Sequence, residues 1–438
     1  MVTPLNTQHQ FQLLKQRKYL PYFCTQFLGA FNDNIFKNAL LATISFGAFS
    51  QDTRNLLNNL GALLFIFPFF IFSALSGQLA DKFAKATLIR YIKFAEIVIM
   101  MVGAYGFYVK NYPLLFIILF LMGAQSTFFS PVKYSILPQY LNSKELVGGN
   151  GLVETGTFVA ILMGTLLGVF LSRFSENHFA VGICVVAVAL FGFIAALFIP
   201  LQQTIANPHL KINWEPFSQT WLILKRAQKQ RTVFLTILGI SWFWFFGTVV
   251  VTQLYNYNRD ILHGNEAVMM SILIALSLGI GIGSLSCEKL SGRKIEIGLV
   301  PFGSIGLTLF TLDFSFAHGT YPVSEIALGS FLSHFYGWRV LFDLFFIGLF
   351  GGLYSVPLYV LLQTRTQERE RSQMIAANNI WNALFMICAS LFAICLLSLG
   401  LSIPQLMFVT GLFNVAVTFY IYKLIPEFLT RFVAWLLR

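Results

Sequence analysis

The chain has 438 residues, of which 57% are hydrophobic and 11% are charged, whereas soluble domains carry about 25% charged residues. This composition excludes a soluble protein and indicates an integral membrane protein. The 29 Lys and Arg residues outnumber the 18 Asp and Glu residues, but they stand in short runs between apolar segments, which favours membrane topology over nucleic-acid binding. The five cysteines show no C-x-x-C spacing, so we predict no metal site, no disulfide and no cofactor.

Twelve apolar segments are long enough to span a membrane when the sequence is read in windows of about 19 residues. The longest polar stretch separates six of them from the other six. We therefore predict an all-α integral membrane protein with twelve transmembrane helices in two six-helix bundles. The predicted spans lie near 21–46, 58–79, 88–109, 113–137, 147–172, 179–201, 233–256, 267–287, 296–314, 338–363, 373–398 and 404–424. The predicted domains are an N-terminal bundle at 1–201, a cytoplasmic linker at 202–232, a C-terminal bundle at 233–424 and a cytoplasmic tail at 425–438.

The distribution of basic residues between the spans predicts the orientation of the chain. If the N-terminus is cytoplasmic, the great majority of the 29 Lys and Arg residues fall in inner loops and tails or at span ends that face them. Membrane proteins keep such an excess on the cytoplasmic side. We therefore expect both termini to be cytoplasmic.

The first span carries several polar side chains in its middle, among them Asn32, Asp33, Asn34 and Lys37. Asp33 and Lys37 are four residues apart and therefore share one helical face. Each charge in a membrane helix costs about 2.5–3.5 kcal/mol on insertion scales, and such residues usually face a protein interior or a watery pathway. An internal ion pair that only helps the helix to insert would need two residues. The run of amide and acid side chains favours a substrate site instead.

The two halves of the chain repeat weakly. The second span of each half ends in a glycine, then an acid, then a basic cluster, at 77–85 and at 283–294. Asn150 opens the fifth span, and Asn378 with Asn379 opens the eleventh. Two halves repeated in parallel are typical of secondary transporters with a substrate site near the midplane of the membrane.

The repeat fails at the counterpart of the polar first span. The seventh span has the aromatic segment 242–247 at this place, with Trp244 in its middle. We therefore expect one half to offer charge and the other to offer an apolar surface.

The loop at 77–85 resembles the signature of the major facilitator superfamily, G-x-L-A-D-R/K-x-G-R/K-R/K, and departs from it at Ala84 and Ala86. In such a loop Asp81 can accept hydrogen bonds from the positive N-terminal end of a neighbouring helix when the cytoplasmic side is shut. An ordinary charged turn is the alternative. The predicted gating residues are Gly77, Asp81, Lys82 and Glu288.

Three further stretches carry a more specific resemblance. They are 30–34 (AFNDN), 129–137 (FSPVKYSIL) and 149–157 (GNGLVETGT). These are similar to the patterns A-F-x-D-N, S-P-x-K-Y-x-I-L and N-G-L-x-E-x-x-T of the bacterial lysophospholipid transporter family. The resemblance covers essentially the whole chain, and Lys37 is a base outside the family pattern.

The resemblance implies a flippase of the bacterial inner membrane. It implies that a lysophospholipid, typically lysophosphatidylethanolamine, moves from the outer to the inner leaflet for reacylation, by alternating access with lateral lipid entry. Some relatives are fused to an acyltransferase and an acyl-carrier-protein synthetase, and the tail at 426–438 resembles the junction in those fusions. We expect such a cytoplasmic enzyme as a partner. The chain shows no H-x4-D acyltransferase motif, so we expect a transporter that is not itself an enzyme. We also expect it to be a monomer.

A zwitterionic headgroup needs a cation for its phosphate and an anion for its ammonium group, and Lys37 and Asp33 supply both on one face. Lys133 and Glu154 can supplement them, although Lys133 could also be an interfacial anchor and Glu154 a packing acid. The aromatic surface around Trp244 suits an acyl chain. The predicted substrate-binding residues are Asn32, Asp33, Asn34, Lys37, Lys133, Asn150, Glu154, Trp244, Asn378 and Asn379.

Two other functions stay open at this point. One is a facilitator-type porter for a soluble metabolite such as a siderophore or an organic anion. The other is a membrane scaffold that presents lipid to a soluble acyltransferase through the amphipathic stretch 213–231. The fourth span lacks a central arginine and the fifth lacks a G-P pair, which argues against a drug/proton exchanger.

Overall fold

The structure, a computed structural model, describes residues 9–46, 50–174, 179–201, 207–319 and 325–437. Parts of the predicted linker (202–206), N-terminal bundle (1–8) and tail (438) lie outside the described residues. The described chain is built from α-helices joined by short connections, as the hydropathy pattern predicts.

In the described part of the chain, twelve long helices lie at the positions of the twelve predicted spans, and we number them α1 to α12. They are α1 (Leu20–Phe46), α2 (Gln51–Lys82), α3 (Lys85–Tyr108), α4 (Tyr112–Ser135), α5 (Leu146–Phe174), α6 (Phe179–Leu197), α7 (Arg231–Asp260), α8 (Glu266–Leu290), α9 (Leu299–Phe314), α10 (Phe335–Arg365), α11 (Arg371–Ser398) and α12 (Ile403–Leu424).

Within the described ranges, nine of the twelve long helices are apolar and long enough to cross a membrane. The other three are α1, α3 and α9. Charged residues of α1 and α3 belong to the candidate site described below, and α9 is an apolar helix of 16 residues.

Shorter helices connect or follow the long ones. Four are α-helical, at Leu137–Tyr140, Pro216–Lys229, Leu328–Ser333 and Glu427–Leu436, and two are 3-10 turns, at Gln10–Lys15 and Glu368–Glu370.

Several of the long helices have a side-chain cap at their N-terminal end. Ser50, Asn111, Asn265 and Ser402 each accept a hydrogen bond from the backbone N–H three residues ahead. Such a cap satisfies one of the backbone donors that a helix leaves free at its start. These residues therefore mark where the membrane helices begin.

The chain divides into two compact units. The first comprises residues 1–224 with 366–376, and the second comprises 225–365 with 377–438. The division at 224/225 falls inside the predicted linker. The first residues of α11 belong to the first unit, which a division into consecutive domains does not anticipate.

The same packing order recurs inside each unit. In the first unit α2 packs on α4, α3 packs on α4 and α6, and α1 packs on α6. In the second unit α8 packs on α10, α9 packs on α10 and α12, and α7 packs on α12. This correspondence agrees with the weak parallel repeat in the sequence.

Candidate functional site

A buried polar cluster occupies the middle of the first unit. Its centre is an ion pair within α3, where Lys93 Nζ lies 2.6 Å from Glu96 Oε2, and these side chains are only 1% and 2% exposed. Asn32 of α1 donates its amide N–H to Glu96 Oε1 (3.0 Å), and Gln125 of α4 donates to Glu96 Oε2 (2.9 Å). Glu96 therefore joins three helices through partners that neutralise and satisfy its charge.

Asp33 and Lys37 lie beside this cluster but do not pair with each other. Asp33 accepts a short hydrogen bond from the Ser126 hydroxyl of α4, and Lys37 Nζ lies 5.3 Å from the centre of the Phe65 ring of α2. Within the described ranges, the ion pairs closer than 4.0 Å do not include these two residues. Both residues are half-buried, whereas Lys93 and Glu96 are excluded from solvent.

Asn34 has a different environment from its two neighbours. It is buried, and its amide donates to the Ala30 carbonyl of the same helix at 2.8 Å. One of its hydrogen-bonding groups is thus already used within α1. The predicted ligand role of Asn34 stays a prediction.

A second polar group connects α4 with α5. Lys133 Nζ donates to Thr157 Oγ1 (2.8 Å), and the Tyr134 hydroxyl donates to Glu154 Oε1 (2.7 Å). Thr157 also donates to Gln26 Oε1 of α1 at 3.1 Å. Glu154 is buried, whereas Lys133 is half-buried. Lys133 is therefore the more accessible charge of this group.

Asn150 is fully buried near the start of α5. Its amide donates to the Leu146 carbonyl one turn earlier, at 2.9 Å. This contact places Asn150 in the local packing of α5, and its predicted substrate contact stays untested.

Asp81 at the end of α2 is fully buried against the start of α11. Its Oδ1 accepts the backbone N–H of Ser372 (3.0 Å), and its Oδ2 accepts the backbone N–H (3.2 Å) and the side-chain amide (3.2 Å) of Gln373. A helix N-terminus offers free N–H groups and a positive dipole end, so it stabilises a carboxylate there. The contact has the form expected from the loop signature.

Gly77 lies one turn before Asp81 on the same face of α2. A Cβ atom at this position would approach Gln373 Cα to 2.9 Å and Ala376 Cβ to 2.8 Å. Only glycine allows α2 to come this close to α11, and the close approach brings the Asp81 carboxylate within reach of its backbone donors.

The other two predicted gating residues make local contacts. Lys82 Nζ lies 5.9 Å from the centre of the neighbouring Phe83 ring. Glu288 is buried and pairs with Arg293 at 3.4 Å. Glu288 thus occupies the place of Asp81 in the repeat but has a partner from its own loop. A gating role for either residue stays a prediction.

The polar residues of the second unit gather around Asn382 of α11. The Trp244 indole N–H of α7 donates to the Tyr359 hydroxyl at 3.1 Å. With the Asn382 amide oriented to satisfy both of its ends, its oxygen accepts from Trp244 (3.2 Å) and from the Asn378 amide (3.0 Å), and its nitrogen donates to Ser241 (2.8 Å). The structure thus brings Trp244 and Asn378 together. Asn379 is also buried, one residue further along α11.

Sequence reasoning missed several members of these groups, above all Lys93 and Glu96. It also missed their partners Gln125 and Ser126, and Asn382 in the second unit. The sequence does contain a signal for this pair, because Lys93 and Glu96 are three residues apart inside a predicted span. A charge in a membrane helix is costly and is usually paired.

Comparison with known proteins gives a consistent family assignment. The sequence profile of the Major Facilitator Superfamily matches residues 22–390. The lysophospholipid transporter LplT of Enterobacter sp. (strain 638) is 29% identical over 345 residues, which are 78% of each chain. The protein of the same name from Yersinia enterocolitica is 26% identical over 393 residues, which are 87% of this chain and 88% of its own.

Solved structures agree on the fold. The human organic anion transporter MFSD10 superposes with a TM-score of 0.70 at 12% identity, covering 92% of this chain and 98% of its own. FucP, a transporter crystallised in the outward conformation, superposes with a TM-score of 0.67 at 14% identity, covering 93% and 99%. The all-α fold with twelve long helices is therefore the major facilitator fold, and the chain belongs to the Major Facilitator Superfamily.

Proposed function

We propose that the chain is a secondary transporter of lysophospholipids in the bacterial inner membrane. We further propose that it moves lysophosphatidylethanolamine from the outer to the inner leaflet. The observation that carries the proposal is the set of three half-buried charges on the first unit, Asp33, Lys37 and Lys133. The LplT proteins that share 26–29% identity with the chain carry the same substrate class in their name.

The chemistry of the headgroup matches the two half-buried charges of α1. A glycerophosphoethanolamine headgroup carries one phosphate and one ammonium group. Lys37 binds the phosphate and Asp33 binds the ammonium group, because neither charge is consumed by the other. Charge-assisted hydrogen bonds of this kind are about twice as strong as neutral ones. Lys133 offers a second cation for the phosphate.

The buried ion pair beside them has a positioning role. Lys93 and Glu96 are excluded from solvent and satisfied by each other, by Asn32 and by Gln125. Hydrogen bonds are strong in a low-dielectric interior, so the bond from Asn32 to Glu96 holds this part of α1 in place. Asn32, next to Asp33 on α1, thereby fixes the rotation of α1 and the direction of the Asp33 side chain.

The aromatic second unit suits the apolar part of the substrate. Trp242 stacks on Phe245 at 4.9 Å, and Phe413 meets both rings, at 5.0 Å and 6.0 Å. Trp244, on the other side of α7, is half-buried and holds its N–H towards Tyr359. Trp242 and Phe245 are buried, so the half-buried Trp244 is the ring of α7 that suits contact with an acyl chain.

The contact of Asp81 with the start of α11 serves as a gate. In this proposal the hydrogen bonds to Ser372 and Gln373 form when the cytoplasmic side is shut and break when it opens.

Both termini are cytoplasmic, and the product is delivered to a cytoplasmic acyltransferase. Cysteines at Asn265 on the outside and at Lys229 and Glu368 on the inside test this orientation, since a reversed labelling pattern would contradict it.

Uptake of labelled lysolipid into proteoliposomes tests the function. We expect movement of lysophosphatidylethanolamine between leaflets in the absence of any acyltransferase. Transport only of a water-soluble ligand would favour the porter, and movement only when acyltransferase is added would favour the scaffold. Parallel runs with and without a proton or sodium gradient identify the coupling ion.

A further inference from the structure

We propose that an apolar groove on the second unit is a docking site for the same lysophospholipid before it is translocated. This inference rests on the proposed function. The groove has a volume of about 800 Å³ and lies between α8 and α10. Its walls are Ile274 and Leu278 of α8 and Phe342 and Phe345 of α10. A cavity of this size is typical of sites for small molecules.

The mouth of the groove carries an ion pair. Arg339 of α10 donates from Nε to Asp313 Oδ2 of α9 at 3.1 Å and makes a second contact through its Nη2 to Asp313 Oδ1. Both residues line the groove, and their side chains are 27% and 47% exposed. A third bond runs from Arg339 Nη1 to the Phe316 carbonyl at 3.4 Å. Since a guanidinium has five N–H donors, two remain for a ligand.

A further acid lies next to this pair. Asp343, one turn beyond Arg339 on α10, is fully buried and interacts electrostatically with both Asp313 and Arg339. Within the described ranges, neither Asp343 oxygen accepts a hydrogen bond. Asp343 does not line the groove, so the charged groups that a ligand in the groove can reach are the Arg339 guanidinium and the Asp313 carboxylate. This pair suits a ligand that carries a cation beside its phosphate, rather than a purely anionic lipid.

The position of the groove fits a lipid substrate. It is lined by the first half of α8, the end of α9 and the start of α10, which the proposed topology places in the outer leaflet. Phe335 and Trp338 at its rim are exposed, and aromatic rings of this kind are enriched at the level of the lipid headgroups. The phosphate meets Arg339, the ammonium group meets Asp313, and the single acyl chain lies along the groove.

The first unit provides a matched control. A second groove, of about 470 Å³, lies between α3 and α6 and is lined by apolar residues and two tyrosines, among them Leu190 and Tyr105. No Lys, Arg, Asp or Glu lines it in the described part of the chain. It therefore offers acyl-chain contacts without a headgroup site.

The test uses the full chain in nanodiscs and a lysophosphatidylethanolamine with a photoactivatable diazirine in its acyl chain. After irradiation, mass spectrometry of peptides quantifies labelling at α8 and α10 against labelling at α3 and α6. We expect saturable labelling at α8 and α10 that unlabelled lysophosphatidylethanolamine displaces, and labelling at α3 and α6 that rises in proportion to the probe. Lysophosphatidylglycerol, which lacks the amine, should displace the probe about tenfold less well.

Two variants sharpen the test. Asp313→Asn should weaken displaceable labelling about tenfold, the change expected for one charge-assisted hydrogen bond. Leu278→Trp should block the groove, whereas Leu190→Trp in the control groove should leave labelling at α8 and α10 unchanged. Non-saturable labelling of both grooves, or labelling at α8 and α10 that survives Leu278→Trp, would overturn the docking site.

The readout is independent of transport. Saturable labelling without uptake in proteoliposomes would support the docking site and contradict the proposed function. Uptake without saturable labelling would contradict the docking site alone.

Discussion

The first helix of each unit meets the rest of its unit in a different way. In the first unit α1 and α5 touch through their backbones, because a Cβ atom at Gly164 or Gly168 would lie 2.5 Å from a carbonyl oxygen of α1. In the second unit α7 meets α11 through large side chains, with the Phe245 and Phe392 rings 5.5 Å apart and the Phe234 and Trp381 rings 5.7 Å apart.

This difference shows how a repeated fold takes on two kinds of chemistry. Close backbone packing fixes α1 tightly enough to hold charged groups at defined distances from α3 and α4. Aromatic packing gives α7 a thick apolar surface with few charges. The repeat preserves the order of the helices, while the side chains give the first unit charged groups and the second unit an aromatic surface.

The largest expected effect concerns the buried pair of the charged half. Lys93→Ala leaves Glu96 buried without its counter-ion and should destabilise the protein by about 3–5 kcal/mol. The double variant Lys93→Met with Glu96→Leu should recover most of that loss, because apolar replacement of a buried pair can be neutral. Thermal unfolding in detergent measures both. The exposed pair of Arg259 with Asp260 is the control, and Arg259→Ala should cost about 0–1 kcal/mol. Equal losses at both pairs would contradict the account.

The next effect concerns the contact that ties α2 to α11. Asp81→Asn removes the charge that accepts from the Ser372 and Gln373 backbones, and hydrogen bonds to charged groups contribute about 1.5–3 kcal/mol. We expect faster hydrogen exchange of the amides at 372 and 373. Glu288→Gln, at the equivalent place of the second half, should leave these amides protected. Unchanged exchange in Asp81→Asn would mean that the carboxylate does not hold this helix end.

A smaller effect distinguishes the two packing modes directly. Gly168→Ala forces a methyl group against the α1 backbone and should cost about 1–3 kcal/mol, as overpacking does. A Cβ atom at Gly247 of α7 would have no atom within 4 Å. Gly247→Ala should therefore raise the free energy of unfolding by up to about 1 kcal/mol, because alanine favours the helix more than glycine does. Thermal unfolding of the two variants gives opposite signs if the comparison is correct. The same sign for both would contradict it.

Hydropathy was sufficient to place all twelve long helices, because a membrane helix needs a continuous apolar run that few other structures produce. The hydrogen bonding of Asp81 to the start of a neighbouring helix was anticipated from the resemblance of 77–85 to the loop signature. The first prediction follows from local sequence and the second from that resemblance.

The candidate site was only partly predictable. The i,i+4 spacing placed Asp33 and Lys37 on one face, but their actual neighbours, Ser126 and Phe65, come from other helices. No spacing rule within α1 could reveal them. The pairing of Glu96 with Lys93 was open to sequence reasoning as an i,i+3 spacing, but the partners from α1 and α4, Asn32 and Gln125, are brought to Glu96 only by the fold.

The proposed headgroup site is tested by lysolipid binding and transport of the variant Asp33→Asn with Lys37→Gln, in proteoliposomes at matched protein density. Because these residues do not pair with each other, we expect the double variant to fold normally and yet fail to transport. Lysophosphatidylethanolamine binding should weaken by about 2 kcal/mol, the scale of a lost charge-assisted hydrogen bond. Lysolipids without the amine should be less sensitive to Asp33→Asn than to Lys37→Gln. Transport by the double variant at the parent rate would contradict the proposed headgroup site.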